Sequence, residues 1–177
     1  MKKYCILLMA FVLLFFSSCF WDSFWEWVNP DDRCTLEQRD YVGDNLRIDG
    51  YYYEDVENDY ATIYILYKNG VVLSPPSTSQ SEMDKYYNEL VDKVFWSDNI
   101  DMWGLFAVED SLISLEYYLP SMYGHHTYLM RGTILNDSTF RMIEGRRSVD
   151  SKYESIDHLF RFRQTEVKPD STNKFFK

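Results

Sequence analysis

Short apolar runs separated by turn residues make up most of this chain, and their texture is that of β-strands. Residues 47–54 hold Ile48 and Tyr51-Tyr52-Tyr53, and residues 60–67 read Tyr-Ala-Thr-Ile-Tyr-Ile-Leu-Tyr. Both runs are rich in the β-branched and aromatic side chains that fit a pleated, half-buried surface. Asn69-Gly70 follows, then Val71-Val72-Leu73, and two β-type runs around Asn-Gly predict a hairpin with positive φ at both turn positions. Residues 74–79, Ser-Pro-Pro-Ser-Thr-Ser, read as a loop.

The period then changes. Met83, Tyr87, Leu90 and Val94 fall on one helical face, which predicts a helix over 82–95 with Ser81 as its cap. Strands resume at 102–109, 112–119, 127–135, 139–144 and 158–164, joined by Glu109-Asp110-Ser111, Pro120 to Gly124, Asn136-Asp137-Ser138 and Gly145. Eight sequential strands with short hairpins predict a mainly β fold, an antiparallel up-and-down barrel with one helix inserted after the third strand. A β-sandwich is the alternative.

The first residues follow another pattern. Lys2 and Lys3 precede an uncharged run from Tyr4 to Phe16, then Ser17-Ser18-Cys19. The run is shorter than the ~20 residues of a membrane span and suits a signal peptide. Residues 1–18 are therefore expected to be cleaved, and Cys19 to carry the lipid anchor, its partner being membrane lipid. Residues 19–46 are expected to form an aromatic segment (Trp21, Phe24, Trp25, Val28) and a tether, and 47–177 the barrel. The expected location is the outer membrane, on its periplasmic side or at the cell surface.

Composition narrows the function. The formal net charge is −10, which disfavours nucleic acid. Of three cysteines, only Cys34 remains a thiol after cleavage and lipidation, so it is expected to be inert and no disulfide framework is expected. No phosphate loop, Gly-x-Ser-x-Gly, Cys-x-x-Cys or His-Glu-x-x-His occurs, so no catalytic residue, metal or cofactor is expected. His125-His126 reads as two solvated loop histidines and His158 as structural. Arg141, Arg146, Arg147, Arg161 and Arg163 form the one basic region, expected to pair with surplus acids.

Aromatic residues on the expected strands are the candidate chemistry. Tyr and Trp in a barrel offer an apolar pocket with polar handles. Tyr64, Trp103, Phe106, Tyr117, Tyr128 and Arg161 are the candidate ligand-binding residues. The expected function is a non-enzymatic, membrane-anchored barrel binding a small apolar ligand. The alternative is a protein- or glycan-binding module with a filled core, and the weakest reading is a hydrolase.

Four stretches bear on family: Tyr64-Ile65-Leu66-Tyr67-Lys68-Asn69-Gly70-Val71-Val72, Trp103-Gly104-Leu105-Phe106, Arg131 to Phe140, and Lys168-Pro169-Asp170-Ser171-Thr172-Asn173. On these the chain, from about Gly50 to Phe176, resembles the lipocalin-like (calycin-type) domain of Bacteroidota lipoproteins. Gly50 is followed by Tyr51-Tyr52 where lipocalins have Gly-x-Trp. The resemblance implies a small barrel and a small apolar ligand, and brings no catalytic residue.

Overall fold

The computed structural model describes residues 33–54, 60–92, 97–119 and 125–176. The expected signal peptide, Cys19 and the aromatic segment after it lie outside the described residues. The elements are β1 (Gly50–Glu54), β2 (Tyr60–Ala61), β3 (Ile63–Leu66), β4 (Val71–Leu73), β5 (Thr78–Ser79), α1 (Met83–Asp92), β6 (Trp103–Glu109), β7 (Leu112–Leu119), β8 (His126–Asn136), β9 (Thr139–Arg147) and β10 (Glu154–Gln164).

Eight of the strands close into an antiparallel barrel in the order β1-β3-β4-β6-β7-β8-β9-β10. β10 returns to β1 in the register Gly50↔Gln164 to Glu54↔Phe160, so no edge is left open and the sandwich arrangement does not arise. α1 follows the third barrel strand, as the change of period predicts. Two details differ from the sequence expectation. β2 and β5 form a separate two-residue pair, Tyr60↔Ser79 and Ala61↔Thr78, inside stretches read as strand and loop. β10 begins at Glu154 rather than 158, where backbone pairing with Gly145 holds a polar stretch that has no apolar pattern, and a bulge separates Ser155 from His158.

The Asn-Gly hairpin also forms by a different turn. Gly70 has φ 79° but Asn69 does not share a positive φ. Gly70 N–H donates to the Tyr67 carbonyl (3.0 Å) and Tyr67 N–H to the Val71 carbonyl (2.9 Å), leaving a three-residue loop with glycine at the left-handed position. A Cβ on Gly70 would stand 2.2 Å from the Arg39 carbonyl oxygen, so the N-terminal segment also requires glycine here.

Two apolar clusters result. One fills the barrel: Tyr52, Tyr64, Leu66, Val72, Phe106, Leu115, Met130, Phe140, Met142 and Phe160 are among its buried members. The other lies outside β1, β3, β4 and β6, where Met83, Tyr87 and Leu90 of α1 cover Ile63, Ile65, Leu73 and Trp103, with Leu36 and Phe176 packed at its margin. β3 and β4 therefore have both faces covered, and every residue in them is buried.

The chain before residue 47, expected as tether, is packed from residue 34 onward. Thr35 N–H, Thr35 Oγ1 and Leu36 N–H all donate to Glu116 Oε2 at 2.6–3.0 Å, and Thr127 Oγ1 donates to Glu116 Oε1 at 2.9 Å. These bonds are what allow a carboxylate to be buried in an outer face of the sheet. Further on, Tyr41 and Leu46 enter the interior cluster, with the Tyr41 ring 5.7 Å from that of Phe106. They stopper one end of the barrel.

The C-terminal segment is pinned as well. Lys168 Nζ donates to the Ile48 (2.6 Å) and Leu66 (2.7 Å) carbonyls and stands 4.5 Å from the Tyr67 ring centre. Burial pulls this ammonium down to about 8.

Candidate functional site

The two ends of the barrel are unlike. Short turns at 68–70, 110–111 and 137–138 gather at the end stoppered by Tyr41 and Leu46. The longer connections, including the one that carries α1, gather at the other end, which we call the mouth.

Strand alternation decides which candidates meet. Tyr64, Phe106, Tyr117 and Tyr128 all belong to the interior cluster. Trp103 does not: it sits outside, in the layer under α1, with its ring 6.3 Å from that of Tyr67. Positions 103 and 106 have opposite parity on one strand, so they cannot both face inward. Arg161 is also outside, since its strand neighbour Phe160 is inside.

Within the barrel the rings form a continuous column. It runs Phe162–Tyr52–Phe140–Phe160–Tyr64–Tyr117–Tyr128, with successive centroids 5.2, 4.9, 5.0, 5.1, 5.9 and 6.0 Å apart. Offset and tilted pairs at these separations are favourable beyond the area they bury. The stoppered half is packed by the first members of this column. Polarity rises toward the mouth. Tyr64 bonds through its hydroxyl with Tyr117 and with Ser74, Tyr128 Oη donates to Glu154 Oε1 at 2.9 Å, and Glu54 pairs with His158 Nδ1. Burial pushes the Tyr64 and Tyr117 phenols up, and the nearby Glu54 carboxylate adds to both shifts.

A recess of about 420 Å³ opens at the mouth above this pair. Tyr64, Tyr117 and Tyr118 form its aromatic wall, and Thr62, Ser74 and Asp101 are among its polar lining. His125 Nδ1 lies 3.1 Å from Asp101 Oδ1, which accepts from it, so His125 is anchored rather than simply solvated. Parity makes Glu54 legible from Tyr52, and His158 from Phe160. Ser74 and Asp101 come from the connection around α1, where no local pattern announces them.

A larger recess, about 530 Å³, lies outside the barrel between α1 and the end of β10. Its polar groups already satisfy one another. Arg163 pairs with Asp84 at 2.6 Å, and Tyr87 Oη bonds Thr165 Oγ1 and the Val167 carbonyl, both at 3.0 Å. It is the seam of a packed helix.

The basic region behaves as its surroundings dictate. Arg141 pairs with Asp157 (3.1 Å) and Arg147 with Asp150 (2.7 Å), while Arg146 and Arg131 each lie over the Tyr153 ring, at 4.9 and 4.8 Å. Burial, with the Glu116 charge adding to it, pushes the Cys34 thiol up to about 12, so it stays protonated and unreactive at neutral pH. Among the described residues no group of three or more His, Cys, Asp or Glu is placed to hold a metal ion, and no helix is long and apolar enough to cross a membrane. No family model, curated protein or solved structure matches the chain.

Proposed function

We propose that this chain is an exported lipoprotein, held at the outer membrane through acylated Cys19, whose non-catalytic barrel binds one small ligand with an apolar body in the recess above Tyr64 and Tyr117. The observation that supports it is the recess itself: about 420 Å³, at the mouth of a barrel whose other end is stoppered. That volume falls in the range of small-molecule sites, and its mix of rings with a few polar groups is their usual lining. The basic start, short apolar run and Ser17-Ser18-Cys19 support the anchor. The resemblance to lipocalin-like lipoproteins of Bacteroidota fits the same reading and is proposed with it.

Native mass spectrometry of protein purified from its source tests the ligand. The expected result is a retained small molecule that disappears in Thr62→Trp, whose indole occupies the recess. An empty wild-type protein that also fails to take up any of a panel of fatty acids, sterols and aromatic compounds would count against ligand binding. It would favour a module that engages a protein or glycan partner, a reading supported by the ring column that fills the stoppered half. Fractionation tests the anchor. Cys19→Ala is expected to move the protein from the membrane to the soluble fraction, and a variant that stays wholly in the membrane would overturn the lipidated-cysteine reading.

A further inference from the structure

The recess has a sign. Among the described residues, its lining includes Tyr64, Tyr117, Tyr118 and Asp101, and no lysine, arginine or histidine. The Asp101 side chain keeps about a quarter of its surface exposed, so its carboxylate reaches the recess while it holds His125. From behind, the charge of Glu54 bears on both Tyr64 and Tyr117. Among the described residues toward this end, His125 pairs with Asp101, His158 with Glu54 and Arg147 with Asp150. A ligand entering here meets tyrosine rings, whose π faces are the negative side of the aromatic quadrupole, and the Asp101 carboxylate. The chain's formal net charge of −10 favours cations over anions near the protein as a whole.

We propose that the recess selects a small organic cation: an amine or quaternary ammonium on a ring-sized apolar body, its charge set against Asp101 and the tyrosine faces. This rests on the reading of the recess as a ligand site and gives that ligand its chemical class. An anionic ligand of the same shape would lose its water shell beside Asp101 and find no cation among the described lining residues to replace it.

Three probes of one shape test the class: 2-phenylethylammonium, 2-phenylethanol and 3-phenylpropionate, titrated calorimetrically into the whole protein in non-ionic detergent. The ammonium is expected to bind about tenfold more tightly than the alcohol, the scale of one cation–π contact with a carboxylate nearby, and the carboxylate more weakly than either. Asp101→Asn, and separately Ser77→Lys at the exposed rim, are each expected to weaken the ammonium by about threefold or more while moving the alcohol by less than about twofold. Equal or tighter binding of the alcohol or the carboxylate overturns the cation class and leaves the recess standing as a site. Equal loss of ammonium and alcohol in both variants overturns it too. If none of the three binds, and Thr62→Trp behaves as wild type, both the class and the site fall.

Discussion

Replacing Phe160 with alanine lowers the unfolding free energy by about 3–5 kcal/mol, the usual cost of truncating a buried ring in a core that cannot collapse around it. Phe160 is 2 % exposed and is the midpoint of the interior column, 5.0 Å from the Phe140 ring and 5.1 Å from that of Tyr64. Both neighbours are held by strands fixed on either side, so neither can swing into the void. A barrel is closed in hydrogen bonding, and its wall cannot shrink by the width of a ring. For a domain of this size the loss corresponds to a fall in Tm of about ten degrees. Phe162→Ala, nearer the end and only partly buried, is expected to cost less. Urea unfolding followed by circular dichroism measures both. A Phe160→Ala cost under about 1 kcal/mol would mean the interior is not packed as the ring column implies.

The second large effect is alkaline unfolding. Nine tyrosines, Tyr51, Tyr52, Tyr64, Tyr67, Tyr86, Tyr87, Tyr117, Tyr118 and Tyr128, are raised above the ordinary phenol value of 10.0, with burial the leading cause in each. A phenol raised on folding stays protonated in the native barrel at a pH where the unfolded chain has already released its proton. Its stabilisation is complete below pH 10.0 and is lost as pH climbs through the folded value, about 12 for Tyr51 and Tyr118. Each fully buried phenol costs up to about 1.4 kcal/mol per pH unit in that window, and those nearer solvent less. Cys34, up at about 12 from 9.0, adds in the same direction from lower pH. Lys168 opposes them. Its folded value of about 8 lies below the unfolded 10.5, so its contribution rises with pH between the two, but it is one group against many.

Several such phenols together exceed the ~5–15 kcal/mol that holds a typical domain. The barrel is therefore expected to unfold cooperatively between about pH 10 and 12, with tyrosinate absorbance appearing in the same transition as the loss of near-ultraviolet circular dichroism. Tyrosinate that titrates smoothly near its free value while the dichroism persists would sink the prediction, because it would place those rings in water.

The eight barrel strands, the position of the helix and the turns at 69–70, 110–111 and 137–138 were legible along the chain. Each rests on neighbours a few residues apart: alternation for strands, the 83–87–90 spacing for the helix, Asp and Gly at the turns. Gly145, read as a turn, instead lies inside β9, paired with Met130 and Glu154. Closure was not settled by the chain, since eight sequential strands with short hairpins fit a sandwich as well, and the pairing of β10 with β1 is what decides for the barrel. The candidate site was legible only in half. Tyr64, Phe106, Tyr117 and Tyr128 are brought together, whereas Trp103 and Arg161 face the other way. Their strands were identified, but which face of each strand is the inside depends on register, and a shift of one residue reverses it.

By itself, then, the sequence determined most of the elements, their order and a mainly β, antiparallel, aromatic-rich fold, because those follow from local periodicity, while closure into a barrel came from the tertiary structure. It also determined a net charge of −10. Only the tertiary structure decided that Glu116 would hold residues 35 and 36 across 80 residues of chain, and that Tyr41 would stopper one end. It alone brought Asp101 beside Tyr117 and Tyr118 at the other end. These contacts join segments far apart in the chain, and their energy comes from burial and hydrogen bonds that exist only once the sheet has closed.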